Sequence, residues 1–158
     1  MSHARLVAFL VAASSLLGCS THFITNTDVE DTPDNRKIVE FCERYRKAIE
    51  RKDIPALLEL ASADYYENGG NVDATDDIDY AGLDEYLRTK FSDEVAAIRY
   101  EIRYRRVVRD QEYVFVDYTY SGSYRLQTDS GDKWRSTVEE NRLELVSDGD
   151  GYRIVAGM

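Results

Sequence analysis

Two cysteines and a scatter of carboxylates and phenols hold nearly all the chemistry this 158-residue chain can offer. Cys19 follows an apolar run, Leu6 to Ala13, and is directly preceded by Leu16-Leu17-Gly18. Cys42 sits among Val39, Phe41 and Tyr45 at helical spacing. A nucleophilic cysteine needs a base close by, and beyond the N-terminal signal the one histidine is His22, far from any helical or strand pattern. Cys42 therefore reads as a small buried hydrophobe, and no disulfide framework is expected. Asp73, Asp76, Asp77 and Asp79 form an acidic loop whose spacing is not that of an EF-hand, so the reading is a solvated loop with no metal.

The N-terminus has the parts of an export signal: Arg5, the apolar run, and no acid before Cys19. The run is too short for a permanent membrane-spanning helix. Leu16-Leu17-Gly18-Cys19 resembles the lipobox of bacterial lipoproteins. That resemblance implies diacylglyceryl transfer to the Cys19 thiol, cleavage before it, and N-acylation, so residues 1–18 are a signal peptide. Several acyl chains, at roughly 0.8 kcal/mol per buried methylene, give an anchor that does not readily dissociate. Ser20, rather than Asp, after the cysteine implies the outer membrane in a Gram-negative host, with the domain on the periplasmic side. Residues 19–31 are aperiodic and read as a lipidated, flexible tether.

The chain carries a net charge of −10, and loss of the signal removes one further positive charge. Nucleic-acid binding needs a basic footprint and is excluded on this balance. About 140 residues remain, enough for one domain with a real core, here 32–158.

The elements that must position any site follow from periodicity. Thr32-Pro33-Asp34 is a helix start, and Ile38, Phe41, Cys42, Tyr45, Ala48 and Ile49 mark the inner face of a helix to about Lys52. Asp53 caps a second helix, Pro55 to about Ala61. A short extended segment spans Ala63 to Asn68, and Leu83, Tyr86, Leu87 and Phe91 mark a third helix. The period then drops to two. Ile98, Tyr100, Ile102 and Tyr104 alternate with Arg99, Glu101, Arg103 and Arg105, and further strands are expected over 113–127, 134–146 and 152–156. Helices followed by an antiparallel meander make an α+β fold, with a strongly curved sheet wrapped on three N-terminal helices. Outward charges, among them Arg99, Arg103, Arg105, Glu140 and Glu144, are expected to pair across strands.

The domain resembles the nuclear-transport-factor-2-like superfamily, which includes SnoaL-type cyclases and ketosteroid isomerases. The likeness rests on Glu43-Arg44-Tyr45, Lys52-Asp53-Ile54-Pro55, Ala63-Asp64-Tyr65-Tyr66-Glu67, Tyr80-Ala81-Gly82-Leu83 and Gly151-Tyr152-Arg153-Ile154-Val155, in that order. It implies a cone-shaped fold, often dimeric, with a pocket inside. On the isomerase pattern Tyr45 falls at a first-helix donor and Asn141 near a second donor on the third strand. The general base aligns with Gly69, so Glu67 is the nearest carboxylate, displaced by two residues. The plainer reading of Tyr45 is a core tyrosine whose hydroxyl finds a backbone partner, and that of Asn141 a satisfied polar residue near the sheet edge. The tyrosine-rich strands, with Tyr65 and Tyr66, either line the cone or simply pack. The resulting expectation is a non-catalytic domain with no cofactor. Its candidate pocket is Tyr45, Tyr66, Glu67 and Asn141, and it takes a small amphipathic ligand or an envelope protein partner, a second copy included. The alternative is a cyclase-, isomerase- or dehydratase-type enzyme with Tyr45 and Asn141 as donors and Glu67 as base.

Overall fold

The computed structural model describes residues 21–69, 74–128 and 131–158. Cys19 and the signal, together with Asp73 of the acidic loop, lie outside the described residues.

Helix α1 (Pro33–Arg51) begins as its sequence dictates: the Thr32 side chain accepts from the Asn35 N–H, Pro33 takes the first turn, and Lys52 closes the end in a left-handed conformation. Its inner face buries Ile38, Phe41, Cys42, Tyr45 and Ala48. Asp53 then caps α2 (Ile54–Leu60), whose Leu57 and Leu58 turn inward. Two short strands, β1 (Tyr66–Glu67) and β2 (Ile78–Asp79), pair antiparallel. Helix α3 (Tyr80–Tyr86), capped by Asp79, continues through a wider π-helical turn over Leu87–Phe91 and a last turn over Ser92–Glu94. No helix-breaking residue marks the π turn, and its period was not legible in the sequence.

The main sheet is an antiparallel meander of β3 (Val95–Asp110), β4 (Tyr113–Leu126), β5 (Lys133–Asp148) and β6 (Gly151–Ala156), in that spatial order. Its inner face presents Ile98, Tyr100 and Tyr104 beside Val114, Val116 and Tyr118, then Leu143, Leu145 and Ile154, all buried. From Tyr104 through Ile154 these meet the apolar face of α1 in one core, while Ile98 and Tyr100 lie outside it. Each fully buried aliphatic or aromatic side chain there contributes roughly 1.5–3 kcal/mol. Phe41 packs edge-on against Tyr152 at 5.9 Å, tying α1 to the last strand. Register slips between Tyr104 and Arg106, where β3 carries an extra residue that inverts its alternation.

The stretch expected to be a flexible tether is instead folded from His22 onward. Phe23 bridges Glu30, the Thr27 hydroxyl donates to the Ile24 carbonyl at 2.9 Å, and the Asp28 N–H donates to the Tyr104 carbonyl. Val29, 2% exposed, is plugged into the core. One apolar residue in a turn-rich segment leaves no periodicity, so sequence pattern could not reveal this arm. Asp28 fastens it, accepting from Arg103 at 2.6 Å and Arg105 at 2.8 Å.

Two of the charges expected to pair across the sheet are thus spent on the arm. Cross-strand bridges form instead at Asp117, held between Arg106 and Arg142, and between Arg153 and Asp148, while Arg99 lies over the Trp134 ring.

The guanidinium donors of Arg103 and Arg105 lower the Asp28 pKa to about 2, from an ordinary value of 3.8. A carboxyl depressed on folding adds stability that is fully present above its unfolded value and is lost as pH falls through its folded one. The arm is therefore expected to loosen as pH drops from about 4 towards 2. NMR of the Val29 methyls should show them leaving the core over that window. Asp28→Asn should give the released spectrum at neutral pH, and an unmoved Val29 in that variant would contradict the clamp.

Candidate functional site

Between the inner face of β3–β4 and the helices lies a cavity of about 640 Å³. It extends along the sheet from the Tyr118–Asn141 pair to the Val95–Leu126 pair. Its apolar wall combines Ile49 and Leu57 with Leu83, Leu87, Phe91 and Ile98, and tyrosines supply much of the rest. At Gly122, opposite Tyr100, the ring of the lining residue Tyr124 folds back over the strand into volume a side chain would fill. A lone glycine inside an otherwise aromatic strand marks such a close approach.

Of the four pocket residues expected from sequence, Tyr45, Glu67 and Asn141 line this cavity and Tyr66 does not. Tyr66 is 53% exposed, and its hydroxyl donates to Asp77 on the outside. The reason is strand parity: Tyr66 and Glu67 are consecutive in β1, so only one can face inward. Tyr65, one residue earlier, is buried and does line the cavity. Glu94, Tyr86 and Met158, none of them expected, complete the wall.

Tyr118 organises the polar end. It is 1% exposed, and its hydroxyl accepts from the Asn141 amide at 3.1 Å while also sharing hydrogen bonds with Tyr100 and Tyr45. Burial pushes all three phenols above their usual range. In Tyr118 the donors around its oxygen oppose that push, making it the acceptor of the group. Tyr45 has thus found a phenolic partner rather than a backbone one.

Glu67 is held by the main chain. One oxygen accepts from the Gly157 N–H at 2.7 Å and the other from the Gly69 N–H at 3.3 Å. The Met158 N–H donates to the Tyr65 hydroxyl, whose pKa burial raises to about 12, and the Asn141 amide also donates to the Gly157 carbonyl at 3.4 Å. Residues 157–158 thus form a strap across the polar end of the cavity. Gly157 has φ +89°, and a Cβ there would overlap the Arg142 carbonyl.

The remaining candidates have local duties. Cys42 is fully buried, and burial pushes its thiol well above the usual range, so the thiolate a nucleophile requires is suppressed. In the acidic loop Asp79 caps α3 through the Gly82 N–H, and Asp77 receives Tyr66. Among the described residues no three His, Cys, Asp or Glu side chains gather as a metal site.

No protein-family model and no curated protein matches the sequence. Solved structures do match in fold. A ketosteroid isomerase-like protein from Erwinia carotovora is similar at TM-score 0.61 and 18% identity, over 80% of this chain and 95% of that one. A nuclear transport factor 2-like superfamily protein from Salmonella enterica gives TM-score 0.62 and 12% identity, over 77% and 86%. A hexachlorocyclohexane dehydrochlorinase gives 0.63 and 7%, over 78% and 82%. The domain has the nuclear-transport-factor-2-like cone fold, a fold that carries enzymes and other proteins alike.

Proposed function

We propose that this protein binds a small amphipathic ligand in the cone cavity without chemically changing it, on a domain held to a bacterial envelope membrane by lipid at Cys19. The observation that carries the non-catalytic part is the state of Glu67. A general base must reach the proton it removes, and two backbone N–H groups, one from the strap, pin this carboxylate at the polar end of the cavity, which suits a fixed counter-charge better than a group that carries a proton between substrate atoms. The cavity's apolar wall with a few convergent polar groups suits ligand binding. The cyclase-, isomerase- or dehydratase-type reading retains one supporting observation, that Glu67 and Tyr45 line the same cavity.

Lipid anchoring rests on the Leu16-Leu17-Gly18-Cys19 motif, and Ser20 favours the outer membrane. Because the arm is folded from His22, only about 10 Å of extended chain separates a lipidated Cys19 from the domain. The domain is then held close against the headgroups rather than swinging on a long leash. Anionic lipid would repel its net negative charge, which leaves attachment to the acyl chains. Native mass spectrometry of the full chain recovered from membranes tests both parts together. The expected species carries the acyl mass at its N-terminus and a small molecule that leaves on unfolding.

A further inference from the structure

The charges on the cavity wall are all of one sign. Among the described residues nineteen line it, six of them tyrosine and one phenylalanine, and the only charged side chains in that set are Glu67 and Glu94. Among the described residues no Lys, Arg or His lines it. Neither glutamate takes part in an ion pair with any described residue. Lys52, whose ammonium lies 5.9 Å from the Phe91 ring centre, is turned to the carbonyls of Ser92 and Val95 and does not line the cavity.

The glutamates stand at opposite ends. Glu67 lies under the strap beside Asn141, and the Glu94 carbonyl accepts from Gln127 just past the end of β4. Between them the phenol faces of Tyr100 and Tyr120 lie 5.2 Å apart, centre to centre. Aromatic faces attract a cation that has left water, and a carboxylate without an ion-pair partner completes its neutralisation. An anionic amphiphile entering the same space would meet two carboxylates and no counter-charge. A neutral one could offer either carboxylate a hydrogen bond but no charge.

We infer that the ligand is an organic cation, an apolar body bearing an ammonium group, seated among the cavity tyrosines with Glu67 and Glu94 as its counter-charges. This rests on the ligand-binding reading above and narrows it to one ligand class. The net charge of −10 adds a long-range attraction of the same sign.

Isothermal titration of the full chain with 4-phenylbutylammonium, 4-phenylbutanol and 4-phenylbutyrate compares three charges on one skeleton. The ammonium should bind roughly tenfold more tightly than the alcohol, and the carboxylate most weakly. Glu94→Gln and Glu67→Gln should each narrow the ammonium's advantage severalfold. Circular dichroism would verify the fold, since glutamine keeps the acceptor for the Gly157 N–H. Equal affinities for all three, a preference for the carboxylate, or an ammonium advantage untouched by both substitutions would overturn the cation while leaving ligand binding intact. No binding by any of the three would overturn both.

Discussion

Gly157→Ala is expected to destabilise the domain by roughly 2–4 kcal/mol and to lower its melting temperature by on the order of 10 °C. Two costs act together. The residue has φ +89°, where a side chain is strained, and its Cβ would overlap the Arg142 carbonyl and crowd the Leu143 Cα. The backbone of β5 cannot move aside without lifting Leu143, which is completely buried. The strap would yield instead, and with it the Gly157 N–H that holds Glu67 and the Met158 N–H that holds Tyr65. Gly151→Ala is the control, because the nearest atom to a Cβ there is a carbonyl oxygen at an ordinary 3.7 Å. Thermal melts of the two variants should separate widely. A Gly157→Ala protein that melts like the parent would mean that the strap carries no load.

The second large effect is expected from Tyr118→Phe, which removes a single oxygen. That oxygen accepts from Asn141 and shares hydrogen bonds with Tyr45 and Tyr100, all at the boundary between core and cavity. Shape is preserved, so the cost is that of the buried Tyr45 and Tyr100 hydroxyls left without an acceptor, the exposed Asn141 amide being able to turn to water, roughly 1–3 kcal/mol in denaturant unfolding. Tyr120→Phe is the comparison. Its hydroxyl donates to Glu139 on the exposed part of β5, where water can replace it, and the loss there should stay below about 1 kcal/mol. Equal losses at the two positions would remove Tyr118 from the centre of the polar network.

Much of this architecture was legible in the chain because its elements are locally consistent. Thr32 and Asp53 cap the helices they should cap, and the change of period at Ile98 marks where helices give way to sheet. What was hidden depended on contacts distant in sequence. The arm over 22–31 docks through one valine and one aspartate, and its partners Arg103 and Arg105 lie more than seventy residues on. The extra residue at Arg105 is invisible in a run of arginines, yet it redirects the end of β3.

The candidate site was half legible for the same reason. Tyr45 and Asn141 lie on long, regular elements whose inward faces can be counted. Tyr66 lies on a two-residue strand, and an error of one residue there exchanges inside for outside. Glu94 and Met158 come from the ends of elements, where no periodicity operates. Glu67 was found, but not its partner, because a backbone N–H ninety residues away leaves no mark in side-chain pattern.

The most direct test of ligand binding is native mass spectrometry of the full chain from membranes, run beside an Ile98→Trp variant that fills the cavity wall. The parent should carry a noncovalent small molecule in addition to N-terminal acyl mass, and the variant should keep the acyl mass and lose the small molecule. A parent that flies empty, or a small molecule retained equally by the filled variant, would contradict a ligand in the cone.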